Sequence, residues 1–206
     1  MHNFFNILVD FIFPPNPEEL ILRTISPTKL IEVTSKPHPT EYSFIEAVLS
    51  YKDPLVKELI WQIKYKKSKV ALELAGHILF EALSRKSGNF LLIPVPISNK
   101  RRKERGYNQC ELIINEIIKL DNSKRFAGDF SLIRRMKHIE KQTFMKRNER
   151  LKNTLNIFEV TNNDFDKNTK IIIIDDVSTT GSTLNEARNA FLQADFTEVY
   201  CQVIAH

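Results

Sequence analysis

Ile171-Ile172-Ile173-Ile174-Asp175-Asp176-Val177-Ser178-Thr179-Thr180-Gly181-Ser182-Thr183 is the most informative run in the sequence. Four β-branched residues in succession predict a central strand, because β-branching favours the extended chain and burial on both faces removes the alternation with polar residues. Beyond the run, Leu184, Ala187, Phe191 and Leu192 fall on one side of a helix predicted over 182–194. The first N–H groups of a helix are unpaired and carry partial positive charge, so Thr179, Thr180, Gly181, Ser182 and Thr183 read as a phosphate cradle. Gly181 lets the backbone approach a ligand closely, and the hydroxyls offer short hydrogen bonds to phosphate oxygens. Asp175 and Asp176 stand at the carboxyl end of the strand, where ligands of open α/β sheets bind. There they can accept hydrogen bonds from sugar hydroxyls or face a metal ion.

Outward from this unit, strands are predicted at 44–51, stopped by Asp53-Pro54, at Phe90-Leu91-Leu92-Ile93, at 131–133, at 155–160 and at 198–204. Helical spacing begins at Leu55 and continues through Leu59, Ile60 and Ile63. A second helix has Val70, Leu72, Leu74, Ile78, Leu79 and Leu83 as its candidate buried face and ends near Gly88, and a third spans 108–120. Alternation of strands with helices predicts an α/β fold, a mostly parallel sheet with helices on both faces. Residues 14–40 hold Pro14, Pro15, Pro17, Pro27, Pro37 and Pro39 and read as a connector with at most one short strand or helix. Met1 to Phe13 is apolar but carries His2 and Asp10; it reads as an amphipathic helix docked on the protein or a partner, too short to span a bilayer. The expected division is therefore an appendage over 1–43 and an α/β domain over 44–206.

Hydrophobic residues make up 42% of the 206 and charged residues 27%, which predicts a globular core and excludes wholesale disorder. The net charge of +5 suits polyanionic ligands. Cys110 and Cys201 form no Cys-x-x-Cys pair, which excludes a zinc ribbon or dithiol motif; they read as buried thiols in a reducing compartment. Without a basic leader before the apolar start, the chain reads as cytoplasmic. His38, His77 and His138 are isolated and form no ligand-spaced cluster.

The run from Ile171 to Thr183 resembles the phosphoribosyl pyrophosphate motif of type I phosphoribosyltransferases. That resemblance implies that Asp175 and Asp176 take the ribose 2′- and 3′-hydroxyls, facing Mg²⁺ that enters with the ligand, and that Thr179 to Thr183 take the 5′-phosphate. Ile93-Pro94-Val95-Pro96 together with Arg101-Arg102-Lys103-Glu104-Arg105-Gly106-Tyr107-Asn108-Gln109 is similar to the ComF family (competence protein F). So is the run from Gln142 through Lys146-Arg147-Asn148-Glu149-Arg150 and Asn153 to Phe158. The likeness covers roughly residues 44 to 206, and the Arg-Gly-aromatic-Asn-Gln element is its most specific part. It implies a pyrophosphate loop of Val95, Pro96, Arg101, Arg102 and Arg105, across the sheet's carboxyl edge from Gly181. It also implies a flexible loop carrying Lys141, Lys146, Arg147 and Arg150 that closes over the site. Proteins like ComF usually carry a cysteine-rich zinc module after a Phe-Pro-Pro opening; here Phe13-Pro14-Pro15 is present but no cysteine precedes Cys110, so no zinc is expected.

Positive charge concentrates in Lys64 to Lys69, Lys100 to Arg105 and Arg134 to Arg150, and the last two are expected to meet around one cleft. Trp61 and Tyr65 read as core and rim packing rather than a base-stacking platform, which leaves Tyr107 and Phe144 as the aromatics beside the last two basic runs. Three functions are compatible with these features. The first is transfer of phosphoribosyl to an acceptor that no recognisable purine or pyrimidine pocket identifies. The second is ligand sensing or weak, salt-sensitive binding of single-stranded DNA, in keeping with the role in DNA uptake that the resemblance implies. The third is an adaptor docking a helicase-like partner.

Overall fold

A computed structural model describes residues 14–37, 39–136, 157–161 and 165–206. Its centre is a five-stranded sheet in the order β1-β7-β6-β2-β3, every pair parallel: β1 is Ile45–Leu49, β2 Phe90–Pro94, β3 Phe126–Gly128, β6 Ile171–Val177 and β7 Val199–Ala205. Strands β4 (Ile133–Arg135) and β5 (Phe158–Val160) form a separate antiparallel pair.

The isoleucine run explains itself by the alternation of its side chains. Ile172 and Ile174 join a core with α3 (Pro54–Trp61), α4 (Lys69–Ser84) and α6 (Gln109–Leu120). Ile171 and Ile173 join a second core beneath α7 (Ser182–Gln193), which also holds Ile133 of β4 and Phe158 of β5. A strand covered on both faces has no polar side, and all four isoleucines are fully buried.

Three expectations need correction. The proline-rich stretch forms two helices, α1 (Pro17–Leu22) and α2 (Pro27–Val33). In each, a proline at the first helical position follows a capping side chain: Asn16 accepts from Glu19 N at 2.7 Å and Ser26 from Lys29 N at 3.2 Å. Proline there lacks only an N–H that a helix start leaves unpaired, so it begins the helix rather than preventing it. Leu22 and Leu30 then enter the first core. Val70, offered as part of a buried face, is exposed at the start of α4. The strand expected at 131–133 lies at Ile133–Arg135, and of the strand expected at 155–160 the described part is Phe158–Val160. Two elements had no sequence signal: the edge strand β3, three residues long, and α5 (Asn99–Arg105), which has no buried residue and so no apolar periodicity.

The apolar start at 1–13, His38, His138 and the loop residues Lys141, Lys146, Arg147 and Arg150 lie outside the described residues. Among the described residues no helix is long and apolar enough to cross a membrane.

Candidate functional site

The carboxyl end of β6 carries both acids. Asp175, half-buried, accepts from Asp176 N at 2.9 Å and faces Cys110 Sγ at 3.5 Å. Both of these bonds use Oδ1, and Oδ2 takes part in none among the described residues. Asp176 is 3% exposed, and its Oδ1 accepts from Val177 N at 2.8 Å. Its Oδ2 is sealed from solvent without a hydrogen bond, and Lys64 Nζ lies 3.2 Å away. Burial, then the charge of Asp176, pushes the Asp175 carboxyl up to about 7. Burial and the two acids push the Cys110 thiol well above its usual range, so it stays a neutral donor.

Behind the acids the chain turns into α7. Thr179, Thr180, Ser182 and Thr183 are exposed, while Gly181 is buried with φ +75°. A Cβ at Gly181 would stand 2.7 Å from the Tyr42 ring and 2.9 Å from Ile45, so both the backbone and its neighbours demand glycine. The N-cap residue of α7, Gly181, has no side chain to close this helix as the caps of most of the other helices do; Thr180 Oγ1 accepts from Ser182 N at 3.4 Å, and the N–H groups that follow are placed to meet an anion. Thr180 Oγ1 and Ser182 Oγ lie 3.0 Å apart at its mouth.

The turn after β2 comes to the same edge. Val95 N donates to Ile174 O at 3.0 Å, one residue before the acids, and Val95 O accepts from Asn108 Nδ2 at 3.0 Å. Pro96 follows, half-exposed. Asn108 Oδ1 also accepts from Cys110 N at 3.0 Å and so caps α6. One residue of the Arg-Gly-Tyr-Asn-Gln element thus fixes the Pro-Val-Pro turn and delivers Cys110 to Asp175. Its neighbour Tyr107 donates to Ile63 O at 2.7 Å, tying in the turn that carries Lys64. Arg101 is exposed, Arg102 pairs with Glu111, and Arg105 donates to Gln109 at 2.9 Å and lies over the Tyr65 ring at 5.3 Å. Burial, then the charge of Arg101, lowers the Arg135 guanidinium, which brings the described start of the third basic segment within electrostatic reach of the second.

The structure therefore gathers Asp175, Asp176, the 179–183 loop, Val95 and Pro96 at one sheet edge. Lys64, Tyr107, Asn108 and Cys110 were not singled out by role from the sequence. Tyr107 and Asn108 stand in the Arg-Gly-aromatic-Asn-Gln element, but the contacts of all four residues span 13 to 112 positions of chain, and no local pattern shows those contacts. Trp61 and Tyr65 depart from expectation: they are 44% and 63% exposed, with rings 6.0 Å apart and Lys66 Nζ 5.1 Å from the Trp61 ring.

No family model matches the chain. It is 34% identical over 113 residues to competence protein ComFC of Bacillus subtilis, covering 51% of this chain and 39% of that protein. It is 34% identical over 97 residues to competence protein F of Haemophilus influenzae, covering 46% of this chain and 41% of that protein. DNA utilization protein YhgH of Escherichia coli is 28% identical over 171 residues, 79% of this chain and 73% of that protein. The chain thus spans about two fifths of the length of the first two relatives.

Proposed function

The chain belongs to the ComF family, and from that premise we propose that the edge formed by β6, the 179–183 loop and the Val95 turn binds phosphoribosyl pyrophosphate. One observation carries the reading: two carboxylates end the central strand directly before a helix N-terminus whose N-cap is a buried glycine at φ +75°, flanked by the hydroxyls of Thr179, Thr180, Ser182 and Thr183. The ribose hydroxyls would donate to the acids, and the 5′-phosphate would accept from the loop N–H groups and from Thr179, Thr180, Ser182 and Thr183. The pyrophosphate would lie toward Val95 and Pro96, with Arg101, Arg102 and Arg105 as the cations that loop offers.

The chemistry such a site supports is transfer of phosphoribosyl to a nucleophile with release of pyrophosphate. As the bond from C1 to pyrophosphate breaks, positive charge grows on the sugar, and the buried carboxylates stabilise it. Positioning supplies the rest. The donor set fits Mg²⁺ carried by the ligand: Asp175 Oδ2 is a hard oxygen with no partner among the described residues, and these contain no cluster of three acidic, histidine or cysteine side chains that would hold a metal alone. Bound there, Mg²⁺ would neutralise the pyrophosphate oxygens. Thermal denaturation tests the binding. Ligand with Mg²⁺ at about a hundred times its dissociation constant should add roughly 2.7 kcal/mol, and no shift at millimolar ligand would refute the reading.

A second reading has its own observation. Trp61 and Tyr65 stand outward beside Lys66 and Arg105, and α5 presents Lys100, Arg101 and Lys103 to solvent. Cations interleaved with exposed rings suit a single strand, whose phosphates and bases they would meet together. The names of the relatives, competence and DNA utilization, agree with a role in DNA uptake. Binding should be salt-sensitive and displaced by phosphoribosyl pyrophosphate. Tyr65→Ala should cost about 1–3 kcal/mol in fluorescence anisotropy, and an unchanged affinity would remove the platform.

A further inference from the structure

Of the four lysines between positions 64 and 69, Lys64 alone forms an ion pair with one of the two acids of the site. The chain reaches it through a π-helical turn, Gln62–Lys66, that continues α3 and ends at Lys67 with φ +48°. Such wide turns are rare and recur at functional sites. This one is braced on three sides. Ile63 is fully buried, its carbonyl accepts from Tyr107 Oη at 2.7 Å, and Gln62 Nε2 donates to Glu58 Oε1 at 3.0 Å. The bracing turns successive side chains apart: Tyr65 is exposed, Lys66 pairs with Glu19 at 2.8 Å, and Lys64 Nζ comes 3.2 Å from Asp176 Oδ2. That oxygen is sealed from solvent and has no hydrogen bond among the described residues, so Lys64 is its polar neighbour. The other oxygen of Asp176 is held by Val177 N at 2.8 Å. A buried carboxylate left without a counter-charge is strongly unfavourable, and here the compensating cation comes from a segment 112 residues away.

We propose that Lys64 is a positioning residue of the phosphoribosyl site, holding Asp176 in place and charge-balanced beneath the ribose. The inference rests on the phosphoribosyl reading. It assigns to the basic π-turn a part in ligand binding that acts through Asp176, separate from any surface role of Lys66, Lys67 and Lys69. Because the contact is charge on charge, it depends on the ammonium and not on the aliphatic stem. Removing the ammonium should therefore matter only while Asp176 carries a carboxylate.

The test is a double-mutant cycle read by calorimetric titration with ribose 5-phosphate. Lys64→Met should bind about tenfold more weakly than wild type, within the coupling range of contacting charged pairs. Lys64→Arg should recover most of that loss. In the Asp176→Asn background, where Lys64 has lost the carboxylate it pairs with, adding Lys64→Met should change affinity by less than about threefold. That background also serves if the single Lys64→Met chain fails to fold. Equal losses in both backgrounds would assign Lys64 to packing and overturn the proposal. Wild-type affinity in Lys64→Met would overturn it too, leaving the phosphoribosyl reading intact. No binding of ribose 5-phosphate or phosphoribosyl pyrophosphate by wild type would remove that reading, and the Lys64 role with it.

Discussion

Asp175 is the residue with the most informative chemistry. Its carboxyl is pushed up to about 7 from an ordinary value of 3.8 by burial and by Asp176. Between these limits the folded chain holds a proton that the unfolded chain releases, so this residue's contribution to stability is full below about pH 4, falls as pH rises, and levels off above about pH 7. Asp175→Asn removes the titrating group. Denaturant unfolding at pH 5 and pH 8 should show wild type losing more stability than Asp175→Asn across that interval. Equal losses would contradict a half-buried carboxyl next to a second charge. Gly181 makes the complementary prediction. Gly181→Ala places a methyl against Tyr42 and Ile45 at φ +75°, so it should lower the unfolding midpoint and weaken ligand binding together, since the same residue shapes the cradle.

The element with the largest stake in the fold is β6, bonded to β2 on one side and β7 on the other. Ile173→Ala removes a fully buried side chain from the α7 face and should cost about 2–5 kcal/mol in chemical denaturation. A cost below about 1 kcal/mol would mean that this face is loosely packed. At this scale the sequence is readable where the signal is contiguous. Ile171 to Thr183 holds strand, turn and helix start in one run, so its structure and its candidate ligand chemistry are visible without knowledge of the fold. Signals fail where one residue type has two meanings. Proline at 17 and 27 reads as a breaker until Asn16 and Ser26 are recognised as caps, and then it marks a helix start. α5 escapes because it buries nothing, and a helix without a buried face leaves no period to detect.

The whole molecule assembles its candidate site from four places far apart in sequence: Lys64 on the π-turn, Val95 after β2, Cys110 on α6 and the acids on β6. Parallel pairing brings the carboxyl ends of all these strands to one edge, and the Arg-Gly-Tyr-Asn-Gln element locks the contributions together. No local pattern could reveal these long-range contacts, which is why the 179–183 loop and the acids were legible as a candidate site and Lys64 was not. The account stands on one claim, that this edge binds phosphoribosyl pyrophosphate through Asp175 and Asp176. Calorimetric titration of that ligand with Mg²⁺ into wild type and into the Asp175→Asn, Asp176→Asn double variant tests it most directly. Saturable one-site binding to wild type, lost in a double variant that remains folded, is the predicted result. Equal binding by both proteins, or none by wild type at millimolar ligand, would contradict it.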